Sequence, residues 1–121
     1  YDPSAARFKT VSKIGTGFSE AELSDLKVLL DETTLSEKPH ELDSEIIPDV
    51  WVLPKYVVPV TADEITQSQS HTACCDEEGT GLSLRFPRVT GFVRTDKGPY
   101  DVTTTTEISA LFYQQKRIQM E

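Results

Sequence analysis

The sequence predicts a mainly β domain, a small β barrel with helices, and three observations support this prediction. Several short runs alternate apolar and polar side chains and are rich in β-branched and aromatic residues, which is typical of half-buried strands. One early and one terminal stretch instead repeat apolar residues at helical spacing. The chain has 121 residues, enough for one core and too few for two, so we expect a single domain over residues 1–121.

The first predicted elements are a strand and a helix, which two glycines separate. Residues 7–14 alternate apolar and polar side chains with a period of two, as a half-buried strand does. Gly15 and Gly17 interrupt this run, since glycine permits backbone angles that other residues avoid. Ser19 and Glu22 then form a capping box, and leucines at helical spacing predict an amphipathic helix over residues 20 to about 31.

The middle of the chain predicts short strands separated by loops. Residues 31–48 are polar and acidic and are interpreted as a long loop. Runs rich in β-forming residues follow at 50–53 and 56–60, where Pro59 confines the second run to a sheet edge or a bulge. Residues 71–75 predict one more short strand.

The C-terminal third predicts two strands and a closing helix. Residues 82–86 alternate again, and residues 89–93 predict a further strand. Thr104 and Glu107 form a second capping box, which starts a helix that runs to about Gln119. Its apolar stripe consists of Ile108, Leu111, Phe112 and Ile118.

The net charge of −8 argues at face value against a nucleic-acid partner. The charge is unevenly distributed, however, with twelve acids and three bases over residues 20–64 but four acids and six bases over residues 79–121. A phosphate-facing surface must therefore come from the C-terminal third. The acidic middle is interpreted as a solvated face or as the surface for a different partner.

The sequence offers few catalytic or metal-binding groups. His40 and His71 have no triad-like neighbours, and His71, Cys74 and Cys75 would point to opposite faces of a strand, so we predict no metal site. The adjacent cysteines are expected to be reduced thiols of an intracellular protein. No apolar run approaches the roughly 20 residues that span a bilayer, so no membrane partner is expected.

Residues 85–97 combine four cations with Phe86 and Phe92 in an otherwise acidic chain. Guanidinium groups match the oxygens of phosphate, and an interleaved aromatic ring can stack on a base or wedge between bases. Asp96, between Arg94 and Lys97, would orient these cations or hold them until a polyphosphate arrives. The alternative is a plain strand with exposed basic residues and buried phenylalanines, and composition alone leaves both readings open.

Four segments read SKIGTGFS at residues 12–19, PDVW at 48–51, GLSLRFPR at 81–88 and RTDK at 94–97. In this order they resemble motifs of the ATP-dependent DNA ligases of the archaeal and eukaryal replicative type. The resemblance implies an OB-fold C-terminal domain, with a helix inserted after the first hairpin and a helix at the C-terminus. Relatives usually carry strand sequence ahead of the position of Tyr1, which implies a barrel with an open edge or an edge filled by another copy.

The resemblance also implies two roles for the domain. It would contact the ATP phosphates during self-adenylation and nicked double-stranded DNA during sealing. By position, the residues facing the ATP polyphosphate are Arg94, Asp96 and Lys97. The residues implied at the DNA are Arg85, Phe86, Arg88, Lys13 and Thr16, with Phe86 as a minor-groove wedge. Two positions depart from the archaeal pattern, Phe92 in place of arginine and Pro59 in place of glutamate.

The family's lysine nucleophile lies in a KxDG motif of the preceding domain, and no KxDG occurs here. The resemblance therefore implies a full-length enzyme of DNA replication and repair that uses ATP and Mg²⁺, whereas this fragment alone would neither catalyse nor bind a cofactor. The implied partner besides DNA is the adenylation domain of the same chain, and a sliding clamp stays open. The protein would be cytoplasmic if archaeal and nuclear if eukaryal.

Two alternatives are an OB-fold nucleic-acid-binding module outside the ligases and the OB domain of a capping-type nucleotidyltransferase. The pair of RFPR and RxDK motifs favours the ligase. The interpretation requires the cations of residues 85–97 to meet phosphate. It would fail if they were scattered over unrelated surfaces or locked in pairs with the chain's own carboxylates.

Overall fold

The computed structural model describes residues 1–120, with side chains up to Lys116. The elements are short strands, two α-helices and one 3-10 turn at Pro99–Asp101. In chain order they are β1 (Phe8–Lys9), α1 (Glu20–Asp31), β2 (Thr34–Leu35), β3 (Leu42–Asp43), β4 (Trp51–Val52), β5 (Val60–Thr61), β6 (Glu64–Ser68), β7 (Gly81–Arg85), β8 (Arg88–Val89) and α2 (Thr105–Met120). No helix in this part of the chain is long and apolar enough to cross a membrane.

The strands form four pairs. β1 and β3 are parallel, whereas β2–β4, β5–β8 and β6–β7 are antiparallel, and β6–β7 is the longest ladder. The segment after β1 hydrogen-bonds to the turn around Ala73 and to β7. The Thr10 carbonyl accepts from Ala73 N at 3.0 Å, and the Val11 carbonyl accepts from Leu84 N at 2.9 Å. The predicted strand-rich domain with two helices is confirmed, although the described residues do not form a closed barrel.

Both predicted helices begin at their predicted caps. Ser19 Oγ accepts from Glu22 N at 3.1 Å, and Glu22 Oε1 accepts from Ser19 N at 3.0 Å. Thr104 and Glu107 exchange the same two bonds at the start of α2, at 3.2 and 3.3 Å. α1 spans the predicted residues but buries none of its side chains fully. In the predicted stripe of α2, Phe112 is buried and Leu111 is exposed, while the side chain of Ile118 lies outside the described residues.

The structure corrects the predicted strands. The strand predicted over residues 71–75 is wrong, because this segment turns and Cys74 adopts a φ of 55°. The unpredicted β6 is the partner of β7 instead. The loop predicted over residues 31–48 contains β2 and β3. The strand predicted over residues 82–86 is confirmed as β7 with a shift of one residue, whereas those predicted over residues 7–14, 50–53, 56–60 and 89–93 are reduced to two residues each. Cys74 and Cys75 are free thiols, and burial raises the pKa of Cys74.

The position of α1 also differs from the expectation of a helix after a first hairpin. A single antiparallel bridge between Asp2 and Arg7 precedes it, and β1 pairs with β3 beyond the helix.

The core lies between the β6–β7 ladder and α2. Ile65, Leu82 and Phe112 form its buried cluster, and a side-chain amide ties the two layers together. Gln115 Oε1 accepts from Ile65 N and Gln115 Nε2 donates to Ile65 O, each at 2.9 Å, so α2 satisfies backbone groups on the outer edge of β6.

This core is open on one side. An open cavity of about 890 Å³ lies beside it between strands and α2, and its apolar wall includes Val57, Ile65, Leu84 and Ile108. The accessible surface is 8313 Å², whereas a compact monomer of this mass exposes about 6,500 Å². Among the described side chains, none is less than 2% exposed.

Candidate functional site

Two loops that are far apart in sequence form one surface. Val89 N donates to the Thr16 carbonyl at 3.1 Å, and Thr16 Oγ1 donates to the Pro87 carbonyl at 3.4 Å. Gly17 makes this approach possible, since its φ is 112° and a Cβ there would lie 2.2 Å from Val89 O. The structure therefore joins the segment around Thr16 to the loop that follows β7.

We expect Gly17→Ala to lower the free energy of unfolding by about 3 kcal/mol or more, because it adds both backbone strain and a clash. Gly15→Ala is the matched control, since a Cβ at Gly15 meets no atom within 4 Å. The control should change stability by less than about 0.5 kcal/mol. Denaturant unfolding of both variants measures the difference, and equal effects would contradict the close approach at Gly17.

The loop after β7 projects an aromatic ring into solvent. Phe86 is 60% exposed and adopts a φ of 52°, a left-handed conformation that is rare for a bulky residue. The Arg85 guanidinium lies 5.1 Å from the centroid of its ring. Backbone strain costs about 1–3 kcal/mol and clusters at functional sites. We name residues 85–88, which contain this ring and two arginines, the wedge loop.

Both arginines of the wedge loop pair with carboxylates of the neighbouring chain segment. Arg85 Nη1 lies 3.1 Å from Glu64 Oε1, and Arg88 Nη1 lies 3.1 Å from Asp63 Oδ1. Their side chains remain 55% and 47% exposed. Exposed pairs of this kind contribute about 0–1 kcal/mol. Each pair uses only Nη1, so the other nitrogens of both guanidinium groups can bind a phosphate while the pair is kept.

Arg94, Asp96 and Lys97 form a second group. Arg94 N donates to the Val57 carbonyl at 2.7 Å, which anchors the backbone. Its guanidinium binds Asp96 at two points, Nε to Oδ1 at 2.9 Å and Nη2 to Oδ2 at 2.5 Å. The hydrogen bond from Arg94 lowers the pKa of Asp96 and the same bond raises that of Arg94. Lys97 makes no ion pair with any side chain that the structure describes.

The two groups occupy different parts of the molecule. Arg94 and Lys97 line the cavity, whereas the wedge loop does not. Phe92 packs edge to face on Phe18, with ring centroids 6.1 Å apart, so it serves local packing. Lys13 is exposed and lies near His71, whose pKa is lowered by burial first and by the Lys13 charge second. Of the residues implied at the DNA, Thr16 therefore contacts the wedge loop, whereas Lys13 lies near His71.

Sequence reasoning missed Asp63 and Glu64, the partners of the wedge-loop arginines. The signal that could have identified them is a pairing between residues distant in sequence, since Glu64 lies opposite Arg85 in the β6–β7 ladder. A strand predicted at β6 would have placed these opposite charges on adjacent strands.

Comparison with known proteins identifies the family. The profile of the family described as "ATP dependent DNA ligase C terminal region" matches residues 1–97. A probable DNA ligase of Dictyoglomus turgidum is 54% identical over 121 residues, which is 100% of this chain and 21% of that protein. A DNA ligase of Pyrobaculum calidifontis is 42% identical over 120 residues, 98% of this chain and 21% of its own length. DNA ligase 1 of Methanosarcina barkeri is 49% identical over 107 residues, 87% of this chain and 19% of its own length. The chain spans about a fifth of the length of these relatives. It belongs to the family of ATP-dependent DNA ligase C-terminal regions.

Proposed function

We propose that residues 1–121 form a single OB-fold domain at the C-terminus of an ATP-dependent DNA ligase, with a barrel that these residues do not close by themselves. The family match over residues 1–97, the antiparallel ladders and the open cavity beside the core support this proposal. The same match favours the ligase over a nucleic-acid-binding module of another family and over a capping-type nucleotidyltransferase. The archaeal and bacterial relatives favour a cytoplasmic enzyme.

In the first proposed role, Arg94 and Lys97 meet the β and γ phosphates of ATP while a lysine of the adenylation domain attacks the α phosphate. The leaving pyrophosphate gains negative charge in the transition state, so fixed cations there lower the barrier. Asp96 holds the Arg94 guanidinium at two points and thereby orients it. The donor set fits a polyphosphate, because Arg94 offers a planar fork and Lys97 a charge without an ion-pair partner in the described region.

Mg²⁺ enters this proposal with the nucleotide, whose phosphates it would help to neutralise when bound. Within the described residues, no three metal-ligating side chains come together. The chain's own contribution at this step is to place the cations of Arg94 and Lys97 at the phosphates.

In the second proposed role, the wedge loop meets nicked duplex DNA. Arg85 and Arg88 would bind backbone phosphates through the guanidinium nitrogens that their ion pairs leave open, while Phe86 enters the minor groove at the nick. Thr16, which binds the loop through Pro87, and the exposed Lys13 would extend this surface. Unstacking an intact base step costs a few kcal/mol, and the cost is lower where a strand is already broken. The observation that supports this role most strongly is the exposed, strained Phe86 between two arginines.

We expect Phe86→Ala to weaken binding to nicked duplex about 10-fold, because stacking of an aromatic ring contributes about 1–3 kcal/mol. Binding to intact duplex should change less than about twofold, since phosphate contacts dominate there. Fluorescence anisotropy of labelled duplexes at fixed low salt measures both affinities. Tyr113→Ala is the matched control, because Tyr113 on α2 is 61% exposed. Unchanged preference for the nick in Phe86→Ala would remove the wedge from the proposal.

A further inference from the structure

Asp63 and Glu64 form a corner that faces the wedge loop. They lie at the end of the β5–β6 connection and the start of β6, and Asp63 N donates to the Arg85 carbonyl at 2.9 Å. Glu64 stands opposite Arg85 in the ladder and pairs with its guanidinium, while Asp63 pairs with Arg88. We name Asp63 and Glu64 the carboxylate clasp. The backbone bond and the two ion pairs hold both ends of the wedge loop against one rigid corner.

One of these pairs reaches the strained residue itself. Arg88 Nη1 lies 3.1 Å from Asp63 Oδ1 and donates to the Phe86 carbonyl, also at 3.1 Å. The carboxylate of Asp63 thereby fixes a guanidinium that in turn fixes the backbone of Phe86 at a φ of 52°. Without the Arg88 guanidinium, the positive φ of Phe86 loses a stabilising hydrogen bond. The wedge loop can then relax to conformations in which the Phe86 ring no longer projects into solvent.

We propose that Asp63 and Glu64 are positioning residues that set the selectivity of this surface for a nick over an intact duplex. The inference rests on the proposed DNA-binding role of the wedge loop and adds the residues that make it selective. The clasp acts in two ways. It holds Phe86 extended before DNA arrives, and it offsets the charge of two arginines that would otherwise attract the phosphates of any duplex.

The offset of charge and the ordering of the loop change the affinities for nicked and intact duplex differently. The offset of charge weakens binding to nicked and intact DNA alike, because both present the same phosphates. The ordering of the loop strengthens binding only where Phe86 is inserted, since order established before binding reduces the entropy lost on binding. Removal of the carboxylate charges should therefore tighten non-specific binding and reduce the preference for a nick.

The test compares the whole 121-residue chain with Asp63→Asn/Glu64→Gln, using nicked and intact duplexes of one sequence. At about 50 mM salt we expect the double variant to bind intact duplex about 5- to 30-fold more tightly, since two repulsive charges at close range are removed. Nicked duplex should gain less, so that the ratio of nicked to intact affinity falls about 3- to 10-fold. The gain on intact duplex should shrink at about 300 mM salt.

Two further variants separate position from charge. Glu77→Gln/Glu78→Gln removes the same two charges from an exposed turn, and the nicked-to-intact ratio should stay at the parent value. Asp63→Glu keeps the charge but displaces the carboxylate, so the ratio should fall while intact-duplex affinity stays near that of the parent. Thermal melts of each variant confirm that it is folded.

The inference is overturned if Asp63→Asn/Glu64→Gln leaves the ratio unchanged, or if Asp63→Glu behaves as the parent does. Phe86→Ala distinguishes this failure from failure of the proposed function. If Phe86→Ala lowers the ratio of nicked to intact affinity and the variants of Asp63 and Glu64 do not, the role of Phe86 is supported and the role of the carboxylate clasp is rejected. If the unsubstituted chain shows no preference for a nick, both roles are rejected.

Discussion

Replacing Arg94 or Lys97 by alanine is expected to slow self-adenylation about 10²- to 10³-fold, the loss typical when one preorganised donor to a developing charge is removed. Sealing of a nick that already carries the adenylate should slow less than about threefold, since pyrophosphate has departed before that step. The loss should be in kcat more than in KM, because the leaving group gains its charge only in the transition state. The bidentate grip of Asp96 on Arg94 is the structural basis for the preorganisation.

This test requires an adenylation domain. The Dictyoglomus turgidum relative, with its matching segment exchanged for this chain, provides one, because the two are 54% identical over all 121 residues. Single-turnover formation of the enzyme–adenylate and sealing of pre-adenylated nicks are then measured separately. Lys116→Ala is the control, as it removes one exposed cation of α2 outside both groups. Equal slowing of both steps by Arg94→Ala or Lys97→Ala would contradict the pyrophosphate role.

Both helices could be predicted from the sequence because their signals are local. A capping box involves residues three apart, and Ser19 with Glu22 and Thr104 with Glu107 form the bonds that their spacing predicts. The strands were predicted less completely, since their stability comes from partners far away in sequence. β7 lies one residue from its predicted position, whereas β6 was not predicted. Within Glu64–Ser68 the only large apolar residue is Ile65, so β6 shows no alternating pattern. Leu84 across the ladder and Gln115 on α2 stabilise it instead.

In the candidate site, too, features with local sequence signals could be predicted and features that depend on distant partners could not. The motifs predicted Arg85, Phe86, Arg88 and the group at Arg94, but not the exposed, strained backbone of Phe86 or its neighbours Asp63 and Glu64. These features depend on the register between β6 and β7, which no local pattern specifies.

The ion pairs also change what the basic segment can do. Of its four cations, Arg85, Arg88 and Arg94 each face a carboxylate, so the four cations and these three carboxylates together carry a net charge of +1. The condition that these cations be free of the chain's own carboxylates is met only by Lys97 among the described side chains. The proposal nevertheless stands, because each guanidinium keeps at least one nitrogen outside its ion pair, and a phosphate can bind there. DNA binding by this chain should accordingly be modest and strongly dependent on salt.

Adding the segment that precedes the matching region in the relatives is expected to raise the melting temperature by more than about 10 °C, which corresponds to roughly 3 kcal/mol for a domain of this size. The Asp2–Arg7 bridge is the first antiparallel pair of such an extension, with hydrogen bonds of 2.8 and 3.2 Å. Residues that continue this pairing would run beside β1 and place apolar side chains in the cavity of about 890 Å³. Burial of apolar surface there contributes about 25 cal/mol per Å² before the entropy of ordering is subtracted.

The comparison uses about 25 residues from the Dictyoglomus turgidum relative, enough for two strands and their turn. A glycine- and serine-rich extension of equal length is the control, because it adds chain without apolar side chains. Calorimetry measures the melting temperature, and sedimentation shows whether a second copy fills the open edge instead. A second copy would make the melting temperature of the unextended chain depend on concentration. If both extended chains have the melting temperature of the unextended chain at every concentration, the preceding segment does not pack into the cavity, and the proposal that it completes the barrel fails.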